Sequence, residues 1–378
     1  MILATLFWTA VGFVFYAYAG YPLVLWVIAR VKARPLPGEP ITPAVSLIIT
    51  AHNEARRLPA KLENTLALDY LADKLQIIVA SDCSTDETDR IALSYAGSGV
   101  TLVRAPERKG KENAQRLAVE ASSGEVIVFS DTATILQPDG VRCIVQGFGD
   151  PTVGCVSSVD RFIGEDGKIS GEGAYVRYEM LLRKLETRAN TLVGLSGSFF
   201  AARRAVCTNW AVDLPSDFNT LLNSVRLGLR GVSDPESIGF YRTIADESRE
   251  YDRKVRTVLR GIATLMASLP LLNPFRYGMF AWQLFSHKLC RWLVPFALIM
   301  CFASSAMLAG ISPAYLSLFL VQSAFYALGL LGMKTRLLPD GSPLKVAGFF
   351  LVVNLAILSA WYRFARGERR TLWNPSER

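Results

Sequence analysis

Val126-Ile-Val-Phe-Ser-Asp-Thr-Ala-Thr134 is the stretch that decides the fold. Its first four residues are bulky and apolar, which is typical of a strand buried on both faces of a parallel sheet. Ser130 and Asp131 follow at once, so the strand ends in a carboxylate. Ligands of open α/β sheets bind at the carboxyl ends of the strands. We therefore predict that Asp131 faces a metal ion or a phosphate-bearing ligand.

Predicted strands and helices alternate before this stretch. Runs rich in β-branched residues predict the strands, and the segments between them are typical of helices. The predicted strands cover 45–50, 75–80, 100–103 and 126–129; one helix ends near residue 68 and another covers 109–121. This alternation predicts an α/β domain with a mostly parallel sheet, covered by helices on both faces.

The composition indicates a soluble domain joined to membrane segments. Of the 378 residues, 51% are apolar, yet 20% are charged, and the mean hydropathy is +0.27. The net charge of +8 comes from basic residues beside apolar segments and within 249–260, which favours contact with anionic lipid over nucleic acid. The six cysteines show no CxxC spacing, so neither a zinc site nor a disulfide framework is predicted.

The N-terminus predicts an uncleaved membrane anchor. Residues 2–28 contain no charge and are long enough to cross a hydrocarbon core of about 30 Å. A secretory signal is the alternative, because Ala17-Tyr-Ala19 resembles a cleavage site, but no positive charge precedes it. Arg30, Lys32 and Arg34 follow the apolar run, which places the next domain in the cytoplasm.

Three further apolar segments close the chain, at 293–309, 315–333 and 344–362. Three crossings after a cytoplasmic domain would put the basic tail outside, against the positive-inside rule. Either the tail breaks this rule, or one segment is re-entrant or interfacial. We expect an odd total of crossings. Lys345 and Asn354 make the last segment the weakest candidate to span.

The loops after the predicted strands are polar. Ala51-His-Asn-Glu54 follows the first strand and Ser81-Asp-Cys-Ser-Thr-Asp86 the second, where both can accept hydrogen bonds from a base or ribose. Arg108-Lys-Gly-Lys111 precedes a helix and suits a diphosphate, although a solvated basic turn is the alternative. No GxGxxG or GxxxxGK[ST] occurs at a strand-to-helix turn, which argues against a dinucleotide or P-loop site.

The order and spacing of these motifs resemble family 2 glycosyltransferases of the bacterial envelope-glycan type, which have the GT-A nucleotide-sugar fold. The resemblance covers about 45–300 and also includes later segments. The segments are Ile49-Thr-Ala-His-Asn-Glu54, Ser81-Asp-Cys-Ser-Thr-Asp86, Lys109-Gly-Lys111, Ser130-Asp-Thr-Ala133, Gly197-Ser-Phe-Phe-Ala-Ala-Arg203, Ser216-Asp-Phe218 and Arg253-Lys-Val-Arg256.

The resemblance implies a role for each matching residue. The nucleotide would be bound by Ala51, Asn53, Glu54 and Asp82, and the diphosphate by Lys111. The diphosphate or the acceptor would also contact Gly197, Arg253 and Arg256. Asp131 would bind Mg²⁺ or Mn²⁺, and Asp217 would be the general base. Such a metal neutralises charge on a departing nucleoside diphosphate, and a carboxylate takes the proton of the attacking hydroxyl. A single displacement at the anomeric carbon inverts it.

Two positions depart from the family pattern. Ala133 replaces the second acid of the metal motif, and Ser216 replaces the first acid of the base motif. Because Mg²⁺ is commonly held by one or two carboxylates plus phosphates and water, Asp131 alone remains a workable ligand. Basic residues on a predicted helix at 175–190, namely Arg177, Arg183, Lys184 and Arg188, are expected on a solvated face.

The resemblance thus implies a membrane-bound inverting glycosyltransferase. It would move a sugar from a nucleotide sugar, with UDP as the expected nucleotide, to a lipid-linked or polysaccharide acceptor. It would be a multi-pass protein of the inner membrane with a cytoplasmic catalytic domain, in contact with membrane lipids and possible polysaccharide assembly subunits, and without a nucleic-acid partner.

Three alternatives stay open. The first is a processive polysaccharide synthase, disfavoured by the few apolar segments and by Thr257, which stands where that motif has Trp. The second is a catalytically degenerate, nucleotide-sugar-binding subunit of an assembly complex, which Ala133 and Ser216 permit. The third is a membrane-anchored dinucleotide oxidoreductase, disfavoured by the missing glycine motif.

The predicted organisation has six parts. These are a transmembrane helix at 1–30, a linker at 31–43, a GT-A domain at 44–248, interfacial amphipathic helices at 249–290, transmembrane segments at 291–362 and a basic tail at 363–378.

Overall fold

The computed structural model describes residues 1–31, 40–163, 174–242, 247–333 and 342–368. Most of the predicted linker, with Lys32 and Arg34, and most of the predicted basic tail lie outside the described residues.

Thirteen α-helices and eight strands make up the described chain. The helices are α1 Ile2–Phe15, α2 Tyr21–Val31, α3 Leu58–Leu66, α4 Thr88–Ser94, α5 Lys111–Ala121, α6 Gly140–Gln146, α7 Ala174–Ala189, α8 Ser216–Arg226, α9 Glu247–Met266, α10 Pro274–Leu284, α11 Arg291–Leu308, α12 Pro313–Gly332 and α13 Pro343–Ala365. The strands are β1 Val45–Ala51, β2 Leu75–Ser81, β3 Val100–Arg104, β4 Val126–Asp131, β5 Ile135–Leu136, β6 Val153–Ile163, β7 Phe199–Arg203 and β8 Arg230–Arg242.

The strands form one sheet in the order β3-β2-β1-β4-β7-β6-β8-β5. The predicted parallel pairing is confirmed for β3, β2, β1 and β4. Beyond β4 the sheet is mixed, because β7 runs antiparallel to both of its neighbours. This direction brings the start of β7 to the carboxyl end of β4, where the Asp131 amide donates to the Ser198 carbonyl over 3.0 Å.

Helices cover both faces of the sheet, as predicted. One apolar core lies under α3 and α6, and the other lies under α5 and α8. The first contains Leu58, Leu62, Val141 and Ile144; the second contains Ala114, Ala118 and Leu221. Because β1 and β4 are buried on both sides, their polar ends are the parts of these strands left to form a site.

Four helical stretches in the described chain are long and apolar enough to cross a membrane. They are Ile2–Val31, Pro274–Leu308, Pro313–Gly332 and Leu344–Ala365. Since four is even, the odd total of crossings stays a prediction, which requires that one of these stretches does not span.

Two π-helical segments interrupt the first two of these stretches. Tyr16–Gly20 joins α1 to α2, and Phe285–Cys290 joins α10 to α11. The segments contact each other through Tyr16 and Ser286, whose hydroxyls are 2.7 Å apart.

Helix α9 connects the sheet domain to the apolar helices. Its apolar face, including Val255 and Ile262, packs in one cluster with Ala356 and Ala360 of α13. Its basic face lies toward the sheet domain, where Arg260 pairs with Glu112 at 2.7 Å. The helix therefore holds the two parts of the chain together.

Candidate active site

Lys111 and Asp131 meet at the carboxyl edge of the sheet. Lys111 is the first residue of α5, and its Nζ lies 2.5 Å from Asp131 Oδ1 at the end of β4. The same Nζ donates to the Gly197 carbonyl oxygen over 3.0 Å. Gly110 precedes the helix with φ +101°, a backbone conformation that favours glycine. Three segments far apart in sequence therefore converge on one amine.

Asp131 retains one carboxylate oxygen for a ligand. Its Oδ1 accepts from Lys111, whereas Oδ2 takes no hydrogen bond from the described residues, and the side chain is 25% exposed. The described residues contain no group of three or more His, Cys, Asp or Glu side chains able to hold a metal ion. This donor set fits a Mg²⁺ or Mn²⁺ ion that takes one protein oxygen and completes its shell with phosphate and water.

Gly197 separates Lys111 from Asp217. Asp217 lies in the first turn of α8, and a Cβ on Gly197 would come within 3.2 Å of its Oδ2. A larger residue at 197 would therefore crowd the Asp217 carboxylate. Ser216, which replaces the acid expected by the family pattern, is buried at the start of the same helix.

One cavity of about 490 Å³ joins these groups. Six predicted site residues line it, namely Lys111, Asp131, Gly197, Asp217, Arg253 and Arg256. The two arginines lie one turn apart on α9, so this helix forms one wall of the cavity. The remaining predicted residues, Ala51, Asn53, Glu54 and Asp82, do not line it.

Asp82 organises the loop that carries Lys111. Its side chain is fully buried, and its two carboxylate oxygens accept from the amides of Lys109 and Gly110 over 3.0 to 3.1 Å. The Asp82 amide in turn donates to the Ala51 carbonyl over 2.9 Å. The Asp82 carboxylate is therefore occupied by hydrogen bonds from backbone amides, and Ala51 is buried.

Asn53 and Glu54 lie in the loop that follows β1, at the carboxyl edge of the sheet. Asn53 has φ +51°, and its Oδ1 accepts from the Thr85 amide over 2.8 Å, which links the loops after β1 and β2. Glu54 pairs with Arg57 at 3.0 Å. Burial raises the pKa of Glu54, although Arg57 opposes the shift.

Two buried ionisable residues near Asp131 belong to none of the sequence motifs and were not predicted as site residues. Lys61 of α3 donates to Ser130 Oγ over 2.8 Å and to the Thr134 carbonyl over 2.5 Å, and burial lowers its pKa to about 7. Asp160 of β6 lies on the cavity wall, and burial raises its pKa despite hydrogen bonds from two serine hydroxyls. Nothing in the local sequence distinguishes either residue from a surface charge.

The prediction that all four basic residues of α7 lie on a solvated face is wrong for one of them. Arg177, Lys184 and Arg188 are exposed, but Arg183 lines the cavity and donates to Ser157 Oγ over 2.9 Å. Arg183 points inward because α7 packs over the sheet, where Ser157 of β6 accepts its hydrogen bond. A helical pattern alone does not show that a second element covers this face.

Comparison with known proteins gives a match to one family model and a similarity to several curated proteins. Residues 46–209 match Glycosyl transferase family 2. A poly-β-1,6-N-acetyl-D-glucosamine synthase of Staphylococcus aureus is 25% identical over 195 residues, which are 50% of this chain and 46% of the synthase. An N-acetylglucosaminyltransferase of Mesorhizobium japonicum is 33% identical over 123 residues, which are 32% of this chain and 29% of that protein. The chain thus spans less than half the length of these curated relatives.

A solved structure extends the similarity of fold to the apolar helices. It is that of the mannosyltransferase PcManGT from Pyrobaculum calidifontis in complex with GDP-Man and Mn²⁺. The TM-score is 0.72 at 22% identity, with 96% of this chain and 99% of that chain covered. The predicted fold, an α/β glycosyltransferase domain with apolar helices at both ends of the chain, is therefore confirmed.

Proposed function

This chain carries a domain of glycosyl transferase family 2, and from that premise we propose that it is a membrane-bound inverting glycosyltransferase. The observation that carries the proposal is the proximity of four residues: Lys111 contacts Asp131 and the Gly197 carbonyl, and Gly197 lies beside Asp217. A group that can hold the donor diphosphate and a carboxylate that can accept a proton thus line one cavity.

The donor diphosphate lies against the edge of the sheet in this proposal. Asp131 would hold a Mg²⁺ or Mn²⁺ ion, which when bound would neutralise charge on the leaving nucleoside diphosphate. Lys111 and the α9 arginines, Arg253 and Arg256, add positive charge on the two sides of the cavity. Ala51, Asn53, Glu54 and Asp82 form the nucleotide end, with Asp82 acting through the backbone that it orders.

Asp217 is the general base. The acceptor oxygen bonds to the anomeric carbon as the bond from that carbon to the diphosphate oxygen breaks. The hydroxyl proton passes to Asp217, and the nucleoside diphosphate leaves with the electron pair. Because one displacement occurs, the anomeric configuration inverts. A positioned base contributes about 10² to 10⁴ in rate.

The donor in this proposal is a nucleotide sugar, with a UDP-sugar as the first candidate. The acceptor is a lipid-linked or polysaccharide glycan, in keeping with relatives named for N-acetylglucosamine polymer synthesis and transfer. The four apolar helices support a multi-pass membrane location, which we assign to the inner membrane with the sheet domain in the cytoplasm. Polysaccharide assembly subunits are the expected protein partners.

The test is release of nucleotide by the full chain in lipid, with a panel of UDP-, GDP- and TDP-sugars and with Mg²⁺ or Mn²⁺. We expect metal-dependent release from one donor, lost in Asp217→Asn and in Asp131→Ala. Asp73→Asn, an exposed acid far along the chain from both, is the matched control. Nucleotide-sugar binding without release in native chain and variants alike, even with membrane lipid extract added, would instead indicate a degenerate binding subunit.

Product length separates a single transfer from processive synthesis. A transferase that adds one sugar gives products one unit longer than the acceptor at every stage of the reaction. A processive synthase gives long products while most of the acceptor is still unused.

A further inference from the structure

The Lys61 amine lies at the end of β4, next to Ser130, and outside the cavity. Its side chain is fully excluded from solvent, although Ala60 and Glu63 on the same helix, α3, are exposed. Lys61 forms no ion pair with any residue in the described ranges. Enclosing an amine without a counter-ion is costly, so the groups that accept its hydrogen bonds must compensate for that cost.

Two hydrogen bonds from the Lys61 amine go to the segment that carries Asp131. Nζ donates to Ser130 Oγ over 2.8 Å and to the Thr134 carbonyl oxygen over 2.5 Å. Ser130 immediately precedes Asp131 at the end of β4, and the Thr134 amide donates to the Asp131 carbonyl over 3.0 Å, which closes a turn. The amine therefore joins the two ends of the segment 130–134.

The sheet holds the same segment between its ends. The Asp131 amide donates to the Ser198 carbonyl over 3.0 Å, and Thr132 Oγ1 donates to the Thr50 carbonyl over 2.8 Å. Backbone at the end of β1 and just before β7 thus contacts the middle of the segment, whereas Lys61 of α3 contacts both ends. The Asp131 carboxylate is left to face the cavity, where it is 25% exposed.

The position of Asp131 matters because no second acid of the family pattern stands beside it. Ala133 occupies that place, and the described residues contain no group of three or more His, Cys, Asp or Glu side chains able to hold a metal ion. With one carboxylate plus phosphate and water as ligands, the place of the metal depends on where that carboxylate lies. Removing a group that orients a metal ligand typically lowers metal affinity by about 10- to 100-fold.

Asn64 lies one turn farther along the same face of α3 and makes a similar contact with a different segment. Its Nδ2 donates to the Leu136 carbonyl over 2.9 Å, and its Oδ1 accepts from the Leu136 amide over 2.8 Å. These bonds attach β5 to α3. Both side chains therefore tie the chain after β4 to α3, but Lys61 does so at the segment that carries Asp131, and Asn64 does so beyond it.

We propose that Lys61 is a positioning residue of the metal site, whose amine holds both ends of the 130–134 segment and thereby fixes the Asp131 carboxylate at the sheet edge. The inference rests on the proposed function, in which Asp131 holds the metal ion. Lys61 itself touches neither the metal nor the donor. It acts through Ser130 and the Thr134 carbonyl, so its removal lets the turn move and weakens metal binding.

The experiment measures Mn²⁺ binding in the absence of sugar transfer. The full chain in phosphatidylcholine nanodiscs is titrated with Mn²⁺ in the presence of UDP, GDP or TDP, and unbound Mn²⁺ is followed by electron paramagnetic resonance. We expect Lys61→Met to weaken Mn²⁺ binding by about 10- to 100-fold. With a donor that the native chain uses, Mn²⁺ raised above the weakened Kd should restore nucleotide release by Lys61→Met, which a misfolded chain would not show.

Asn64→Ala is the matched control, because it removes two hydrogen bonds from the same helix face but none from the 130–134 segment. It should lower the thermal unfolding midpoint and bind Mn²⁺ as the native chain does. Equal weakening of Mn²⁺ binding in both variants would show that the loss follows a general loosening of α3. Unchanged Mn²⁺ binding by Lys61→Met would show that the amine does not position Asp131. Either result overturns the inference.

If Lys61→Met does not fold, Ser130→Ala is titrated in its place. It keeps the amine and removes one of its two acceptors, so Mn²⁺ binding should weaken about tenfold, and unchanged binding would overturn the inference. Absence of Mn²⁺ binding by the native chain would also overturn it. Mn²⁺ binding that is weakened by Lys61→Met, in a chain that releases no nucleotide from any donor, would leave this inference standing while the proposed function fails.

Discussion

Arg260 Nη2 lies 2.7 Å from Glu112 Oε1, so α9 is tied to the first turn of α5, directly beside Lys111. The pair is largely buried, with 15% and 2% of the two side chains exposed. Consecutive residues of α5 thus serve two contacts: Lys111 faces Asp131, and Glu112 faces α9. The pair therefore couples the position of the arginine-bearing wall of the cavity to that of Lys111, the lysine proposed to bind the diphosphate.

Arg260→Met should destabilise the chain by about 3 kcal/mol, because it leaves the Glu112 carboxylate buried without its cation. Thermal unfolding in detergent measures the loss. In the double variant with Glu112→Gln, the total loss should be smaller than the sum of the single losses, since the charge left behind is also removed. Additive losses would show that the two side chains do not interact.

Lys111→Met should lower the transfer rate by about 10²-fold, since it removes a cation proposed to stabilise the departing diphosphate. The measurement is kcat/KM for the donor. Lys109→Met is the matched control, because Lys109 lies two residues away and its amine pairs with Glu107 in an exposed position. Similar losses in both variants would mean that general positive charge, rather than the contact with Asp131, is responsible.

Gly124→Ala should destabilise the sheet by about 3 kcal/mol. A Cβ at this position would lie 2.4 Å from the Ser46 amide nitrogen and 2.6 Å from the Val45 carbonyl carbon, so β1 and the start of β4 would have to move apart. Thermal unfolding again gives the change. Gly97→Ala is the control, since a Cβ there meets no atom within 4 Å, and it should alter stability by less than about 0.5 kcal/mol. Equal effects of the two changes would contradict the packing argument.

The parts of the site that sequence reasoning located are those at which local pattern determines position. Asp131 ends an apolar strand and Lys111 begins a helix, so the topology of a parallel sheet brings both to one edge. Lys61 and Arg183 were missed because their burial depends on what packs over them. The Asp82 carboxylate was expected to meet a ligand, but its hydrogen bonds depend on the exact course of the 108–111 loop. Spacing in sequence does not specify such a course.

The ion pair between Asp150 and Arg230 makes the stability of the fold depend on pH in the acid range. Burial alone would raise the pKa of Asp150, but hydrogen bonds from Thr152 and Arg230, together with the charge of Arg230 at 2.6 Å, hold it below its ordinary value. The pKa of Asp150 is lower in the folded chain than in the unfolded chain. At pH values between these two pKa values, below about pH 4, the unfolded chain therefore binds more protons than the folded chain does. The stability of the fold consequently falls as the pH drops through this window. Asp150→Asn should therefore be less stable than the native chain at neutral pH, and the gap should narrow as the pH falls through the window. Thermal unfolding at a series of pH values checks this, with the exposed Asp73→Asn as control; a gap that stays constant with pH would show that the carboxylate charge is not what stabilises this pair.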